Sequence, residues 1–212
     1  MVDIGQMNIS LLLKGSIIGL SIAAPVGPIG VLCINRTLAG GRVSGLVSGL
    51  GAATADAIYG CIAGFSLTFI AVVFVNQQKW LGLIGGAFLC FLGLKTLLAE
   101  PAEQAASVKS CNLIRIFAST FFLTLTNPMT ILSFAAIFAG LGLPITNGNY
   151  VSAGLLVTGI FLGSSIWWLF LSVVTSAFQA KIPASGLRWI NRISGAIIIG
   201  FGIFALASSK FA

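Results

Sequence analysis

Histidine is absent from this sequence of 212 residues, and acidic side chains number only 4. The first lack removes the commonest general base and the commonest neutral metal ligand. The second, beside 11 Lys and Arg, leaves 7% charged residues, against about 25% in soluble domains. So few charges cannot cover a soluble surface of this size without exposing large apolar patches. An ordinary cytosolic enzyme, a disordered chain and a secreted disulfide scaffold are thereby excluded. Cysteine is also scarce: Cys33, Cys61, Cys90 and Cys111 show no CxxC and no paired spacing. Three of them lie in apolar runs and read as small buried hydrophobes. Neither a disulfide framework nor a metal site is indicated, and no cofactor is expected. The net charge of +7 does not call for nucleic acid, because the basic residues are scattered and no basic stripe is interleaved with aromatics. Met1–Ser10 lacks the basic region of a signal peptide, and the apolar run after it outlasts signal-peptide length.

What is present is apolar sequence: 58% hydrophobic residues and a mean hydropathy of +1.09. A helix needs about 20 such residues to cross the hydrocarbon of a bilayer. Six runs qualify, at Leu11–Ile34, Val43–Phe65, Trp80–Leu98, Leu113–Leu141, Val151–Phe178 and Leu187–Ala207. Ser66–Val75 is apolar as well and either extends the second helix or folds back. None of the runs alternates polar with apolar residues, as a membrane barrel would. Polar breaks fall at Asn35–Arg42, Asn76–Lys79, Glu100–Asn112, Pro144–Asn149 and Ala180–Gly186. The fold class predicted is an all-α integral membrane protein with six transmembrane helices in a single domain, residues 1–212.

The charges orient it. Arg36, Arg42, Lys95, Lys109, Arg115, Lys181, Arg188 and Arg192 fall in or beside the first, third and fifth loops. Only Lys14, Lys79 and Lys210 fall on the other side. The positive-inside rule therefore puts the odd loops in the cytoplasm and both termini outside.

A repeat runs through the chain. Trp80 to Ala87 resembles Trp189 to Ala196, with Gly86 on Gly195, and in the same register Gly93 meets Gly202. Gly51 to Tyr59 aligns with Gly159 to Trp167, which sets Asp56 on Ser164, and Pro25 aligns with Pro128. The halves, about 8–99 and 113–208 around a linker at 100–112, hold three spans each. An odd number of crossings makes the second half enter the membrane inverted, an architecture of transporters with a site near the midplane.

Three features carry chemistry. Pro25, Gly27 and Pro28 lie inside the first run. Each proline lacks a donor and obstructs the helix behind it, so the span should break or kink there. Freed backbone at bilayer depth is tolerated where it faces protein or a water-filled cavity; a packing kink and a ligand site both fit this motif. Thr126, Asn127 and Pro128, flanked by Thr124 and Thr130, repeat the arrangement in the fourth run. Threonines in membrane helices often bond back to their own helix, but two breaks at related depths favour a site. Asp56 is the sole carboxylate inside any run. An acid at bilayer centre costs about 2.5–3.5 kcal/mol on insertion scales and is a functional-site hypothesis by default; a neutral Asp bonded to a neighbouring helix is the structural alternative. Tyr59 shares its face with Gly49, Ala52, Ala53, Gly60 and Ala63, small residues that admit another helix. Glycines four apart, as at Gly15/Gly19 and Gly159/Gly163, predict close packing. Trp167 and Trp168 are expected mainly to pack the core, and Lys14 to snorkel outward.

At these residues the sequence resembles the LysE family of bacterial amino-acid exporters. Gly19 to Gly60, with Ala24-Pro25-Val26-Gly27-Pro28, Gly41, Gly45, Gly49, Gly51 and Asp56, carries one signature, and Thr126-Asn127-Pro128 carries the second. Many members have a tighter Pro-Gly-Pro; here Val26 separates Pro25 from Gly27. The resemblance covers essentially the whole chain. It implies export of an amino acid or related metabolite across the bacterial inner membrane, driven by the proton gradient. The expected partners are that small molecule and membrane lipid, with a homodimer left open. Two alternatives remain. A divalent-cation exporter would want more ligands than one Asp and scattered cysteines supply. A membrane enzyme or scaffold is disfavoured by the lack of a nucleophile–base pair and by the broken helices.

Overall fold

A computed structural model of the chain describes residues 4–25, 27–65, 77–98, 112–141, 150–179 and 183–208. The linker at 100–111, the stretch 66–75, the connector at 144–149, Val26, Cys111 and the other three acids, Asp3, Glu100 and Glu103, lie outside the described residues. Among the described residues there are eight helices: α1 (Ile4–Ala23), α2 (Pro28–Gly40), α3 (Arg42–Gly64), α4 (Gln78–Leu98), α5 (Leu113–Leu125), α6 (Pro128–Leu141), α7 (Tyr150–Gln179) and α8 (Ala184–Ser208). Three of them, α3, α7 and α8, are long and apolar enough to cross a membrane, and the bent pair α1–α2 makes a fourth if counted as one span. The helix α7, at 30 residues, is about 45 Å long. That exceeds the ~30 Å of hydrocarbon and calls for tilt.

The first and fourth apolar runs are each two helices. Between α1 and α2 the axis turns by 81°. Helix α2 restarts at Pro28, whose fixed φ and missing N–H suit the first helical position, behind Gly27 in an extended conformation (φ −99°, ψ −165°). Helix α6 restarts at Pro128 in the same manner, behind Asn127. The helix starts thus pair Pro28 with Pro128, whereas the sequence repeat pairs Pro25 with it. One correction concerns the polar stretch Asn35–Arg42. It is no loop: α2 continues through Gly40, and only Gly41 separates it from α3. Gly41 sits at φ 83°, where a side chain would be strained.

Backbone-close packing holds the bundle together. Helix α1 lies on α7 through Gly15 and Gly19 on one side and Gly159 and Gly163 on the other. A Cβ at any of the four would run into the facing backbone. Helix α4 lies on α8 with Gly86 against Gly202 and Gly93 against Gly195. Helix α3 receives α7 at Gly49, which faces Trp168, and at Gly60, which faces Ile160; its Gly51 faces the backbone of α5 at Phe117. Lipid tails are as apolar as leucine, so this close approach, rather than exclusion of water, supplies most of the attraction between spans. The buried apolar residues form two clusters, one around Cys33, Ala52, Leu89, Leu123, Trp168 and Ile198, the other around Ile18, Tyr59, Phe134, Leu156 and Ile160.

A side chain added at the α1–α7 crossing should be costly. Gly163→Leu is expected to destabilise the solubilised protein by about 1–3 kcal/mol, the usual range for overpacking. Gly200→Ala, where nothing lies within 4 Å of the new Cβ, should be neutral or stabilising by a few tenths, since alanine is the better helix former. Thermal unfolding in detergent reads both; equal midpoints would remove the crossing as a determinant of stability.

Candidate functional site

The two helix breaks and the middle of α3 enclose one cavity. Its volume is about 230 Å³, below the ~300–1,000 Å³ of drug-sized sites and on the scale of a small metabolite. The first break contributes Pro25, Gly27, Pro28, Ile29 and Gly30, with Ile22 and Ala23 from the end of α1. The second contributes Asn127, with Thr124 from α5 and Met129, Thr130 and Ser133 from α6. Ala52 and Asp56 of α3, Trp168 of α7 and Phe201 of α8 complete it. Five of the eight residues singled out in the sequence, Asp56, Pro25, Gly27, Pro28 and Asn127, therefore meet in one place although three separate segments carry them.

Asp56 is 3% exposed. Ser164 Oγ donates to its Oδ2 at 2.7 Å, and Trp168 Nε1 donates to Ser164 Oγ at 3.1 Å. Ser164 is the residue that the repeat sets on Asp56. Trp168, expected to be core packing, both packs and lines the cavity, because its indole lies over Gly49 while its N–H reaches Ser164.

The two breaks differ in how their backbone is satisfied. At the second, Asn127 accepts the Met129 N–H on its Oδ1 at 3.2 Å and so caps α6. At the first, Gly27 has no side chain to cap α2, and a Cβ there would meet nothing within 4 Å. The α2 N-terminus thus lies at the cavity with no side-chain cap among the described residues, the polarity that receives an anionic group.

Two expected site residues, Tyr59 and Thr126, bond the frame instead. Tyr59 donates its hydroxyl to the Leu125 carbonyl at 2.6 Å, a carbonyl freed by the break, and stacks on Phe134. Thr126 donates back to Phe122 O at 2.8 Å and abuts Gly85 of α4. Pro128 starts α6. Neither Tyr59 nor Thr126 lines the cavity, and the Pro128 side chain lies outside the described residues.

Arg36 was counted in the sequence as a topology charge, but it sits inside α2. Its guanidinium donates to Ser48 Oγ at 3.0 Å, Ile116 O at 3.1 Å, Thr120 Oγ1 at 2.6 Å and Ser119 Oγ at 2.7 Å. Ser48 and Thr120 also bond each other at 2.7 Å. The cluster ties α2, α3 and α5 together two turns along α3 from Asp56. No motif announced it; the signal was four hydroxyl residues at Ser48, Ser119, Thr120 and Thr124 on otherwise apolar helices. Of the cysteines, Cys33 is buried as expected, while Cys61 and Cys90 are only partly so. Lys14 is exposed, as expected. Among the described residues no group of three His, Cys, Asp or Glu side chains is placed to hold a metal ion.

Arg36→Gln removes most of this clamp. The expected cost is about 1–3 kcal/mol for hydrogen-bonding partners left unsatisfied, read as a lowered unfolding midpoint. Arg36→Lys should recover little of it, because an ammonium does not span acceptors set for a planar fork. An unchanged midpoint in both would show that the clamp does not hold the bundle.

The sequence was compared with known proteins. The model of the LysE type translocator family matches residues 20–209. A Bacillus subtilis (strain 168) protein named "Putative amino acid efflux protein YcgF" is 31% identical over 92% of this chain and 94% of its own. The threonine efflux protein of Escherichia coli (strain K12) is 25% identical over 69% of this chain and 74% of its own. The uncharacterized membrane protein YahN of the same strain is 28% identical over 82% and 77%. No solved structure matches. With nearly its whole length matched and its apolar helices packed around a cavity at two proline breaks, this multi-pass membrane protein belongs to the LysE type translocator family, whose members are transporters and not enzymes.

Proposed function

We propose that the protein exports an amino acid from the cytoplasm in exchange for protons, through six crossings arranged as two inverted three-helix halves. The observation that carries this is Asp56, a buried carboxylate lining a metabolite-sized cavity between two broken helices. Among the cavity-lining residues it is the only charged side chain. A zwitterion fits such a site: the ammonium pairs with Asp56, and the carboxylate turns to the N-terminus of α2. An acidic amino acid would bring a second anion with no cation to meet it. One carboxylate among hydroxyls and backbone groups is also a thin donor set for a divalent cation. The names of the relatives, amino acid efflux and threonine efflux, point to the same substrate class. The hydroxyls of Thr124, Thr130 and Ser133 beside the apolar Ile22, Met129 and Phe201 suit a small neutral side chain.

Two observations support the inverted halves. If Gly86 is equivalent to Gly195 and Gly93 to Gly202, a two-fold relation that brings Gly86 against Gly202 must also bring Gly195 against Gly93, and both pairs are in contact. Equivalent residues on the axis itself should touch each other, and Asp56 touches Ser164. Alternating access then follows as a rocking of one half against the other about the cavity.

Asp56→Asn is the direct test. Losing one partner of a buried charged pair costs about 2–5 kcal/mol, so efflux of radiolabelled threonine from loaded cells should fall about tenfold or more. Undiminished, still pH-driven efflux would remove Asp56 from the mechanism. For the orientation, alkaline phosphatase fused after Ala212 should be active, as it is only outside the cytoplasm; an inactive but intact fusion would reverse the proposed topology.

A further inference from the structure

The Asp56 carboxylate has two oxygens in different circumstances. Oδ2 accepts the Ser164 hydroxyl. Trp168 Nε1 donates to the Ser164 oxygen and takes one of its two lone pairs. An indole N–H only donates, which fixes the first bond of the row, Trp168 to Ser164; the second runs from Ser164 to Asp56. Reversing the last bond would leave the Ser164 hydrogen without an acceptor among the described residues, and Ser164 is fully buried. Such an orphaned group is costly away from water. Oδ1 has no hydrogen-bond partner among the described residues, and Asp56 lines the cavity.

We propose that Trp168 and Ser164 are positioning residues that hold Oδ2 as an acceptor, so that a proton and a substrate ammonium must compete for the single cavity-facing oxygen Oδ1. The inference rests on the transport reading above and deepens it. Exchange then needs no second acid: the proton reaches Oδ1 only when the ammonium has left, and the ammonium returns only when the proton has gone. A carboxylate with both oxygens open would accept a proton on one while keeping the cation on the other, and the two fluxes would uncouple. The groups facing Asp56 leave this competition undisturbed. Tyr59, one turn along α3, is committed to Leu125 O. Helices α5, α6 and α7 present Thr124, Thr130, Ser133, Ser164 and Trp168 around it, and the nearest cation on α2, Arg36, reaches α3 two turns away at Ser48.

Infrared difference spectroscopy of the full-length protein in lipid nanodiscs, titrated with acid, tests this without any substrate. The protonated carboxyl of Asp56 gives a C=O band, identified by its disappearance in Asp56→Asn. With the proton on Oδ1, the carbonyl oxygen is Oδ2 and is hydrogen-bonded by Ser164. Ser164→Ala should therefore shift the band to higher frequency, and Ser164→Thr, which keeps the hydroxyl, should return it. Trp168→Phe, which frees a lone pair of the Ser164 oxygen to accept from the carboxyl instead, should broaden or split it. A band unmoved in Ser164→Ala would put the proton on Oδ2 and overturn the inference, while leaving Asp56 as the proton carrier. No acid-dependent band lost in Asp56→Asn would overturn the proton-carrier reading itself. A purely structural role for Ser164 would lower the unfolding midpoint but leave the band in place.

Discussion

An ionisable group inside an apolar bundle is tolerated only if another helix comes close enough to partner it, and this protein is arranged around that requirement at Asp56. The approach is made by α7. It is permitted because α3 presents Gly49, Ala52, Ala53 and Gly60 on the face of the carboxylate, and Gly49 and Gly60 sit against Trp168 and Ile160. With ordinary side chains there, the two helices would stand apart and the Ser164 hydroxyl would not reach 2.7 Å from Oδ2. The position of α7 in turn fixes α1, which lies on its other glycine face through Gly15 and Gly19. The cavity is what remains where α1 and α5 stop short and the chain must restart at a proline.

Much of this was legible in the sequence, for identifiable reasons. Run lengths placed the ends of α3, α4, α7 and α8 to within about three residues, because apolar length is the constraint a bilayer imposes most strictly. The breaks at Pro25–Pro28 and Asn127–Pro128 were legible because proline acts through its own ring and missing donor, whatever surrounds it. Asp56 stood out because an acid in such a run is costly unless a neighbouring helix partners it.

What escaped was anything that depends on which helix faces which. Thr126 and Asn127 are adjacent, yet one bonds back to its own helix while the other faces the cavity; a local pattern cannot separate them. Arg36 was assigned to a loop because charge usually marks the end of a span. Here the helix carries it onward, and hydroxyls from α3 and α5 solvate it in place of water. Trp168 was weighed as packing or cavity wall, when its two ends do both. Ser164 carried a signal in its alignment with Asp56, but only the folded bundle turns that correspondence into a bond.

The single residue between α2 and α3 has a mechanical consequence. Gly41 joins the helices at φ 83° with no further chain to absorb movement, and the Arg36 cluster fastens the same two helices a turn away. A joint so short has no slack. The α2–α3 hairpin is a stiff lever, its fulcrum near Gly41, with the cavity-side end of α2 at one tip and the carboxylate partway along the other arm. Gly30 and Asp56, both at the cavity, are thus carried by one stiff piece.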